Sequence, residues 1–376
     1  MKPIYRKTLV DLLTVPTAPL CEEYVVGYIR RWADQRPGIE FKQDEYGNIR
    51  LRVKRGSKPA AAPMLFSAHM DHPGFEAEKM IGPRQLKAVW RGWVAPEYFK
   101  GTGVRFFSDG RWVRGTIKST KTGVVRGRLR VLSALAEVKT PVEPGSIGMW
   151  DLPDPAVRGK RIFARGCDDV GGVAAVLCAL EELARGRGPV EAYALLTRAE
   201  EVGWAGAIAA CKSGIIPRRT RIIAVETSSE IPGVQMGNGP ILRVGDSLAI
   251  FPNPLCAHTA RVAKELAKRR GSFKWQRKLM DGGSTESLAY LEYGHESIGM
   301  CLALGNYHNM DRIRKRIGAE HIDLSDFEAL VKWFVALAKD RRPSLDHDPA
   351  VRRVIAKQDR TWSAKLKRTR GRIGGQ

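Results

Sequence analysis

The chain has 376 residues, of which 43% are hydrophobic and 27% charged, and its formal net charge is +23. This balance is typical of a globular protein with a large buried core and excludes a wholly disordered chain, while the length favours two domains. The charge excess favours acidic partners such as nucleic acid or anionic surfaces, although the basic residues of the main body are scattered rather than clustered.

Neither a membrane span nor a disulfide framework is predicted. No stretch approaches the roughly 20 apolar residues that a membrane-spanning helix needs, and the charged N-terminus does not have the pattern of a signal peptide. The six cysteines include no C-x-x-C pair and are expected to be reduced and buried. We therefore expect a cytoplasmic protein with no membrane partner.

The N-terminal part of the chain has sequence patterns of helices and strands, and it is followed by a segment without helical periodicity. A helix is predicted over Glu22–Gln35, and strands are predicted over Ile49–Val53 and Pro63–Ala68. The second strand ends at His69-Met70-Asp71-His72, just before a Pro-Gly pair. From Phe75 to Asp151 helical periodicity is absent, and short Val-, Trp- and Arg-rich segments separated by glycine predict a small all-β module.

The α/β pattern returns after Gly159. The elements predicted there are helices over Gly172–Ala184 and Trp204–Cys211, strands over Ala192–Leu196, Arg221–Val225 and Ser297–Leu304, and a last helix that begins at the capping box Ser325-Asp326-Phe327-Glu328 and runs to about Lys339. Alternating strands and helices predict a mainly parallel sheet with helices on both faces. Beyond Pro343 the sequence is polar and basic, which we interpret as a mobile tail that either contacts RNA or another polyanion or is simply solvated.

Three of the predicted elements lie next to side chains that bind metals. His69 follows the strand Pro63–Ala68, and Asp71 is placed to accept the other ring N–H of a metal-bound imidazole. The adjacent carboxylates of Asp168 and Asp169 precede an apolar helix, where their repulsion needs a helix N-terminus or, more effectively, a cation. Glu200 and Glu201 follow the strand Ala192–Leu196, a pair suited to one metal ligand and one group that activates water.

Two further candidates are single residues, Glu226 at the end of the strand Arg221–Val225 and His308 after Ser297–Leu304. Taken singly, each of the five sites also has a structural interpretation, such as a helix cap, an exposed glutamate or a core histidine. Their common placement favours one shared metal site, because ligands of open α/β sheets bind at the carboxyl ends of the strands.

The order of these motifs resembles a known family. H-x-D, D-D-x-G-G, E-E-V-G, an acidic strand end and a late histidine are similar to the di-metal aminopeptidases of clan MH. The nearest branch is that of the tetrahedral-particle aminopeptidases, metallopeptidase family forty-two, which includes glutamyl, leucyl and lysyl aminopeptidases. The resemblance covers about Thr8 to Lys339.

The resemblance implies a role for each residue and a pair of divalent cofactor ions, zinc or cobalt. Asp168 would bridge the two ions, and Glu200 would be the general base and later the proton donor. Asp71 would orient His69. The residues implied to complete the two sites are Glu201 and His308 for one ion, and His69 and Glu226 for the other.

The resemblance also implies a fold and an assembly. The fold would be α/β, a mixed, mainly parallel sheet sandwiched by helices with an inserted small β-barrel domain. The predicted parts are 1–74 and 158–340 for the catalytic domain, 75–157 for the inserted dimerisation-type domain and 341–376 for the basic tail. The protein would cleave peptides as a homo-oligomer, from a dimer to a dodecamer. The module's aromatic residues could form an interface, but we expect most to be core; they are Trp90, Trp93, Phe106, Phe107 and Trp112.

Three positions depart from the family pattern. Glu is common where this chain has His72, Arg is common where it has Val170, and the branch usually has Asp where it has Glu226. A glutamate at position 226 can still coordinate metal, so these departures leave the expected metal site intact. They make the expected substrate range less defined. Family members often have a cis peptide after the bridging aspartate, which makes Asp168-Asp169 a candidate.

Two other functions are compatible with parts of the sequence. Some relatives have been described as endoglucanases, and paired carboxylates also cleave glycosidic bonds, but that chemistry needs neither histidine. A basic nucleic-acid-binding protein on a degenerate peptidase scaffold is the third alternative, and it would not explain why every catalytic position is filled.

Overall fold

The computed structural model describes residues 1–56, 62–125, 127–269, 271–344 and 349–370. The helices are, in chain order, α1 (Pro3–Thr14), α2 (Glu23–Asp34), α3 (Val170–Arg185), α4 (Ala205–Ser213), α5 (Asn253–Arg269), α6 (Ser287–Glu292), α7 (Leu324–Lys339) and α8 (Pro349–Thr369). Short 3₁₀ turns occur at Pro96–Tyr98, Glu200–Val202 and Tyr307–Asn309. The strands are, in chain order, β1 (Ile39–Gln43), β2 (Ile49–Arg55), β3 (Met64–His69), β4 (Gly74–Gly82), β5 (Gln85–Arg91), β6 (Gly103–Ser108), β7 (Arg111–Val125), β8 (Arg128–Val138), β9 (Ile147–Trp150), β10 (Ala156–Arg158), β11 (Arg161–Ala164), β12 (Val190–Thr197), β13 (Arg221–Ser229), β14 (Ile241–Asp246), β15 (Gln276–Met280), β16 (Glu296–Leu304), β17 (Met310–Asp311), β18 (Arg316–Ile317) and β19 (Glu320–Asp323).

An eight-stranded mixed sheet lies at the centre of the α/β part, in the order β1-β2-β12-β3-β13-β16-β14-β15. Its four middle strands, β12, β3, β13 and β16, are mutually parallel, and the antiparallel strands β2 and β14 flank them. The carboxyl ends of the middle strands therefore meet at one edge of the sheet. The predicted α/β fold with a mainly parallel sheet is confirmed.

Helices cover both faces of this sheet because its middle strands are apolar on both sides. In β3, Phe66 packs in the cluster formed with α1, α3 and α7, whereas Leu65 packs on the opposite face with residues of α4 and α6. Both side chains are fully buried. A continuous apolar run is typical of a parallel strand buried on both faces.

The inserted module is a closed barrel of β4-β5-β8-β7-β6-β9. Its core is aromatic, with Phe75 in contact with Trp90, Phe99, Phe106 and Trp150 at ring-centroid distances of 4.5–6.2 Å. Of the five aromatic residues expected to be mostly core, Trp90 and Phe106 are buried, whereas Trp93, Phe107 and Trp112 are half-buried. The barrel thus has its own hydrophobic core.

Two local expectations are wrong. The helix α7 is capped by Asp323, whose carboxylate accepts from the backbone N–H groups of Ser325 and Asp326, so the proposed capping box lies inside the helix. β13 continues to Ser229, so Glu226 lies within the strand rather than at its end. Part of the basic tail, whose mobility stays a prediction, forms α8 at Pro349–Thr369. Among the helices of the described residues, none has the length and apolarity that crossing a membrane requires.

Candidate metal centre

The middle strands deliver the predicted site residues to one place. His69 is the last residue of β3, and Glu226 projects from β13 beside it. Glu200 and Glu201 lie in the 3₁₀ turn after β12, and His308 lies in the turn after β16. All of these residues lie at or near the carboxyl ends of parallel strands, on one edge of the sheet. Side chains that are far apart in sequence therefore converge.

Asp168 reaches this edge from a different direction, because it lies between β11 and the start of α3. Its Oδ1 is 3.5 Å from Nε2 of His69, and its Oδ2 is 3.6 Å from Nε2 of His308. The two oxygens of one carboxylate therefore face two different imidazoles. The peptide bond between Asp168 and Asp169 is cis, as expected for this position.

Each histidine also faces a glutamate of its own. Nε2 of His69 is 3.1 Å from Oε1 of Glu226, and Nε2 of His308 is 3.2 Å from Oε1 of Glu201. The site therefore has two halves that share Asp168. All five side chains are at most 10% exposed.

Hydrogen bonds from Nδ1 on the far side of each ring direct Nε2 towards the centre of the cluster. Nδ1 of His69 lies 3.0 Å from the carbonyl oxygen of Asp71, and Nδ1 of His308 lies 2.6 Å from the carbonyl oxygen of Trp93. Since a carbonyl only accepts, each Nδ1 carries a proton, and each Nε2 can present its lone pair to a bound ion once it has lost its own proton. A histidine that binds metal usually has such a partner on its other nitrogen.

Asp71 has a broader contact set than the sequence suggested. Its carboxylate lies 3.5 Å from Nδ1 of His69, but it also accepts from the backbone N–H groups of Glu200 and Glu201 at 2.9 and 3.1 Å. Asp71 thus fixes the position of the turn that carries both glutamates. This contact links the end of β3 to the segment after β12.

The electrostatics of the cluster favour bound cations. Burial raises the pKa of Glu226 to about 8, and the nearby charge of Asp168 adds to the effect. Burial would also raise the pKa of Asp168, but the imidazoles of His308 and His69 beside it, when protonated, hold it below its usual range. Burial raises the pKa of Glu200 well above its ordinary value, with His69 opposing and Glu226 adding to the shift. Carboxylates so close together in a buried place are costly unless a positive charge compensates them.

The donor atoms also fit divalent ions in number and spacing. Two groups have ligand atoms that all lie within 4.8 Å of one another: His69, Asp168 and Glu201, and Asp168, Asp169 and Glu226. Oδ1 of Asp168, Oε1 of Glu201 and both oxygens of Asp169 are buried without a hydrogen-bond partner. Imidazole nitrogens together with carboxylate oxygens are a ligand set that suits zinc and related transition metals.

Supporting residues around the centre have no recognisable sequence pattern. Glu22 is fully buried and accepts from the backbone N–H of Ala199 and from the guanidinium of Arg198. His72, which departs from the family pattern, lies with Nδ1 2.7 Å from the carbonyl oxygen of Asp168 and Nε2 3.0 Å from Oδ1 of Asn309. These partners are 96 to 237 residues away in sequence, so only the fold could have revealed them.

Comparison with known proteins gives a matching family. A sequence model of M42 glutamyl aminopeptidase matches residues 47–330, which is most of the chain and includes the barrel. No curated protein matches the sequence.

Solved structures share the fold at low identity. The TET1 peptidase of Pyrococcus horikoshii is 21% identical with a TM-score of 0.71, and the match covers 89% of this chain and 99% of that one. An aminopeptidase from Desulfurococcus kamchatkensis is also 21% identical, with a TM-score of 0.73 and coverage of 89% and 94%. An endoglucanase from Thermotoga maritima is 19% identical with a TM-score of 0.60, over 88% and 96% of the two chains.

Proposed function

Because the chain belongs to the M42 glutamyl aminopeptidase family, we propose that it is a metallo-aminopeptidase that removes N-terminal residues from peptides with the help of two divalent ions. The observation that carries this proposal is the position of Asp168, whose two oxygens lie 3.5 and 3.6 Å from the Nε2 atoms of His69 and His308. A carboxylate so placed is suited to join two ions. His69 and Glu226 would hold one ion, and His308 and Glu201 the other.

When bound, the ions would supply Lewis acidity for the scissile carbonyl and acidify the attacking water. Glu200 is the residue suited to take the proton from that water. Its Oε2 lies 3.9 Å from Nε2 of His69. Its side chain is 12% exposed, against 6% for Glu201, so it has better access to solvent than its neighbour.

Glu200 also acts in the second half of the reaction. As the C–N bond breaks, the protonated carboxyl gives its proton to the leaving nitrogen, so that acid and base are one group. Asp71 accepts a hydrogen bond from the backbone N–H of Glu200 and so helps to hold the Glu200 side chain in position. In this proposal Glu200 carries the proton, and its neighbour Glu201 is a metal ligand.

The experiment that tests this function is hydrolysis of aminoacyl chromogenic substrates before and after removal of metal with a chelator. We expect turnover that disappears on chelation and returns when zinc or cobalt is added. Soluble cellulose serves as the second substrate, because one structural neighbour is described as an endoglucanase. Full peptidase activity without metal contradicts the proposal, and metal-independent cleavage of cellulose favours glycoside hydrolysis instead.

We also propose that the protein is a homo-oligomer that uses the barrel. Val124 and Leu129 are cross-strand partners in the hairpin of β7 and β8, and they are 73% and 56% exposed. Apolar side chains this exposed in a hairpin suit burial against another subunit. The P. horikoshii TET1 peptidase can assemble into a tetrahedron or an octahedral shell. Light scattering after size-exclusion chromatography measures the subunit number, and a monomer at micromolar concentration contradicts the proposal.

A further inference from the structure

The helix α8 has an apolar face that nothing covers in the described part of the chain. Its large apolar side chains are 49–69% exposed, and they are Val351, Val354, Ile355, Trp362 and Leu366. At 3.6 residues per turn they fall within an arc of roughly 120° on one side of the helix. A face of this width normally lies against a core, a partner or a membrane surface.

The opposite side of α8 is strongly basic. The helix contains seven Lys and Arg residues and one acidic residue, Asp359. Six of the seven lie on the remaining arc, and they are Arg352, Arg353, Lys357, Arg360, Lys367 and Arg368. The helix is therefore apolar on one side and cationic on the other, a pattern typical of helices that lie in the plane of a membrane surface.

Residues within the apolar arc are also compatible with a lipid interface. The indole N–H of Trp362 donates to Oε1 of Gln358 at 2.8 Å, so both polar groups are paired within the helix. The ammonium group of Lys365 lies 4.6 Å from the centre of the Trp362 ring, at the border between the two faces. A lysine at this border can keep its charge in water while its aliphatic part covers apolar surface.

We propose that α8 binds the surface of an anionic lipid bilayer, with its apolar face in the interface and its basic face toward the lipid headgroups. Charge complementarity selects anionic lipid, since the helix carries a net positive charge and the whole chain has a net charge of +23. This proposal revises the expectation from sequence that the protein has no membrane partner. It does not depend on the peptidase activity.

Nucleic acid and a second copy of the chain explain the helix less well. A polyanion would pair with the basic face through its phosphates and would leave the apolar face in water. A second α8 packed on the apolar face would bring two helices of the same net charge together, which repel each other. Only a surface that is both anionic and apolar satisfies both faces at once.

The test is sedimentation of the full chain with lipid vesicles. One set is pure phosphatidylcholine, and the other contains equal parts of phosphatidylcholine and phosphatidylglycerol. We expect at least about tenfold stronger binding to the anionic vesicles, because each basic residue near the surface adds attraction. No binding to the anionic vesicles at low salt overturns the proposal.

Paired variants separate insertion from simple charge attraction. Ile355→Lys combined with Leu366→Lys adds two charges to the apolar face and is expected to weaken vesicle binding by at least about tenfold, since two buried side chains are lost. Ala356→Lys combined with Ala364→Lys adds the same two charges to the opposite side and should bind at least as well as the wild type. Equal binding by both double variants overturns the proposal.

Two further measurements identify the alternatives. Single-stranded RNA that binds the wild type and the Ile355→Lys, Leu366→Lys variant equally, with no vesicle binding, assigns α8 to nucleic acid. Self-association that the same variant abolishes, again without vesicle binding, assigns it to a second copy. Either result overturns the lipid proposal. Thermal unfolding midpoints that match the wild type show that the variants are folded.

Discussion

Glu22, which is fully buried, forms an ion pair with Arg198, and its Oε2 lies 2.7 Å from Nε of the guanidinium. Its other carboxylate oxygen accepts from the backbone N–H of Ala199 at 3.0 Å. Ala199 has a φ of +53°, a left-handed backbone conformation that residues with a side chain rarely adopt. The turn that carries Glu200 is therefore held from one side by Glu22 and from the other by Asp71.

Loss of this ion pair is expected to lower activity without removing metal. Glu22→Gln leaves the guanidinium of Arg198 without its anionic partner and loosens the turn, so kcat should fall by about tenfold or more while KM changes little. We expect the free energy of unfolding to fall by about 1–3 kcal/mol. Steady-state kinetics and urea unfolding measure the two effects.

The matched control is Glu23→Gln, which removes a charge from the next residue, an exposed one on α2. This variant should have wild-type kinetics and stability. If Glu22→Gln also retains the wild-type kcat, the turn does not need the ion pair.

The Glu200→Gln variant is expected to separate proton transfer from metal binding. The amide cannot take a proton from water, so kcat should fall by about 10²–10⁴-fold. Folding and metal content should stay unchanged, because Glu200 is not one of the proposed ligands. Glu201→Gln is the matched comparison and should lose metal as well as activity. A Glu200→Gln enzyme with near-normal turnover would remove the general-base role.

Acid stability should depend on His258, which lies in α5 and is not one of the candidate site residues. Burial, reinforced by the positive charges of Arg221 and Arg261, lowers its pKa to about 4, while Asp340 opposes the shift. The unfolded chain therefore binds the proton first as the pH falls below about 6.5, and the fold loses stability between there and pH 4. We expect this loss to reach about 1–3 kcal/mol.

His258→Gln has no such titration and should lose less stability than the wild type between pH 7 and pH 5. Urea unfolding at the two pH values, with metal removed from both proteins, makes the comparison. Identical losses in the two proteins contradict the pKa assignment.

The sequence predicted the parts of the fold that rest on local patterns. The apolar runs of β3, β12, β13 and β16 located the middle of the sheet, and the residues that follow β3 and β12 include three of the candidates, Asp71, Glu200 and Glu201. The rule that ligands gather at the carboxyl ends of strands then predicted that these residues meet. Their roles as ligands and base remain predictions, although the structure brings the side chains together.

Other features could not be predicted from the sequence, because the residues that contact each other are distant along the chain. Glu22 was predicted only as the first residue of a helix, and only the fold brings it to Arg198, 176 residues away. The error at α7 arose because two nearby residues, Asp323 and Ser325, can both cap a helix. In the structure Asp323 is the cap, so α7 begins before the Ser325 motif. α8 was missed because its basic composition masks the spacing of its apolar residues.

Metal stoichiometry tests the central claim that Asp168 is shared by two cations. Elemental analysis of the purified wild type after loading with zinc should give two ions per chain. His69→Ala and His308→Ala should each lower that number by about one, and Asp168→Ala should lose both ions while it remains folded. An Asp168→Ala variant that still holds two ions, or a wild type that holds none, contradicts the shared site.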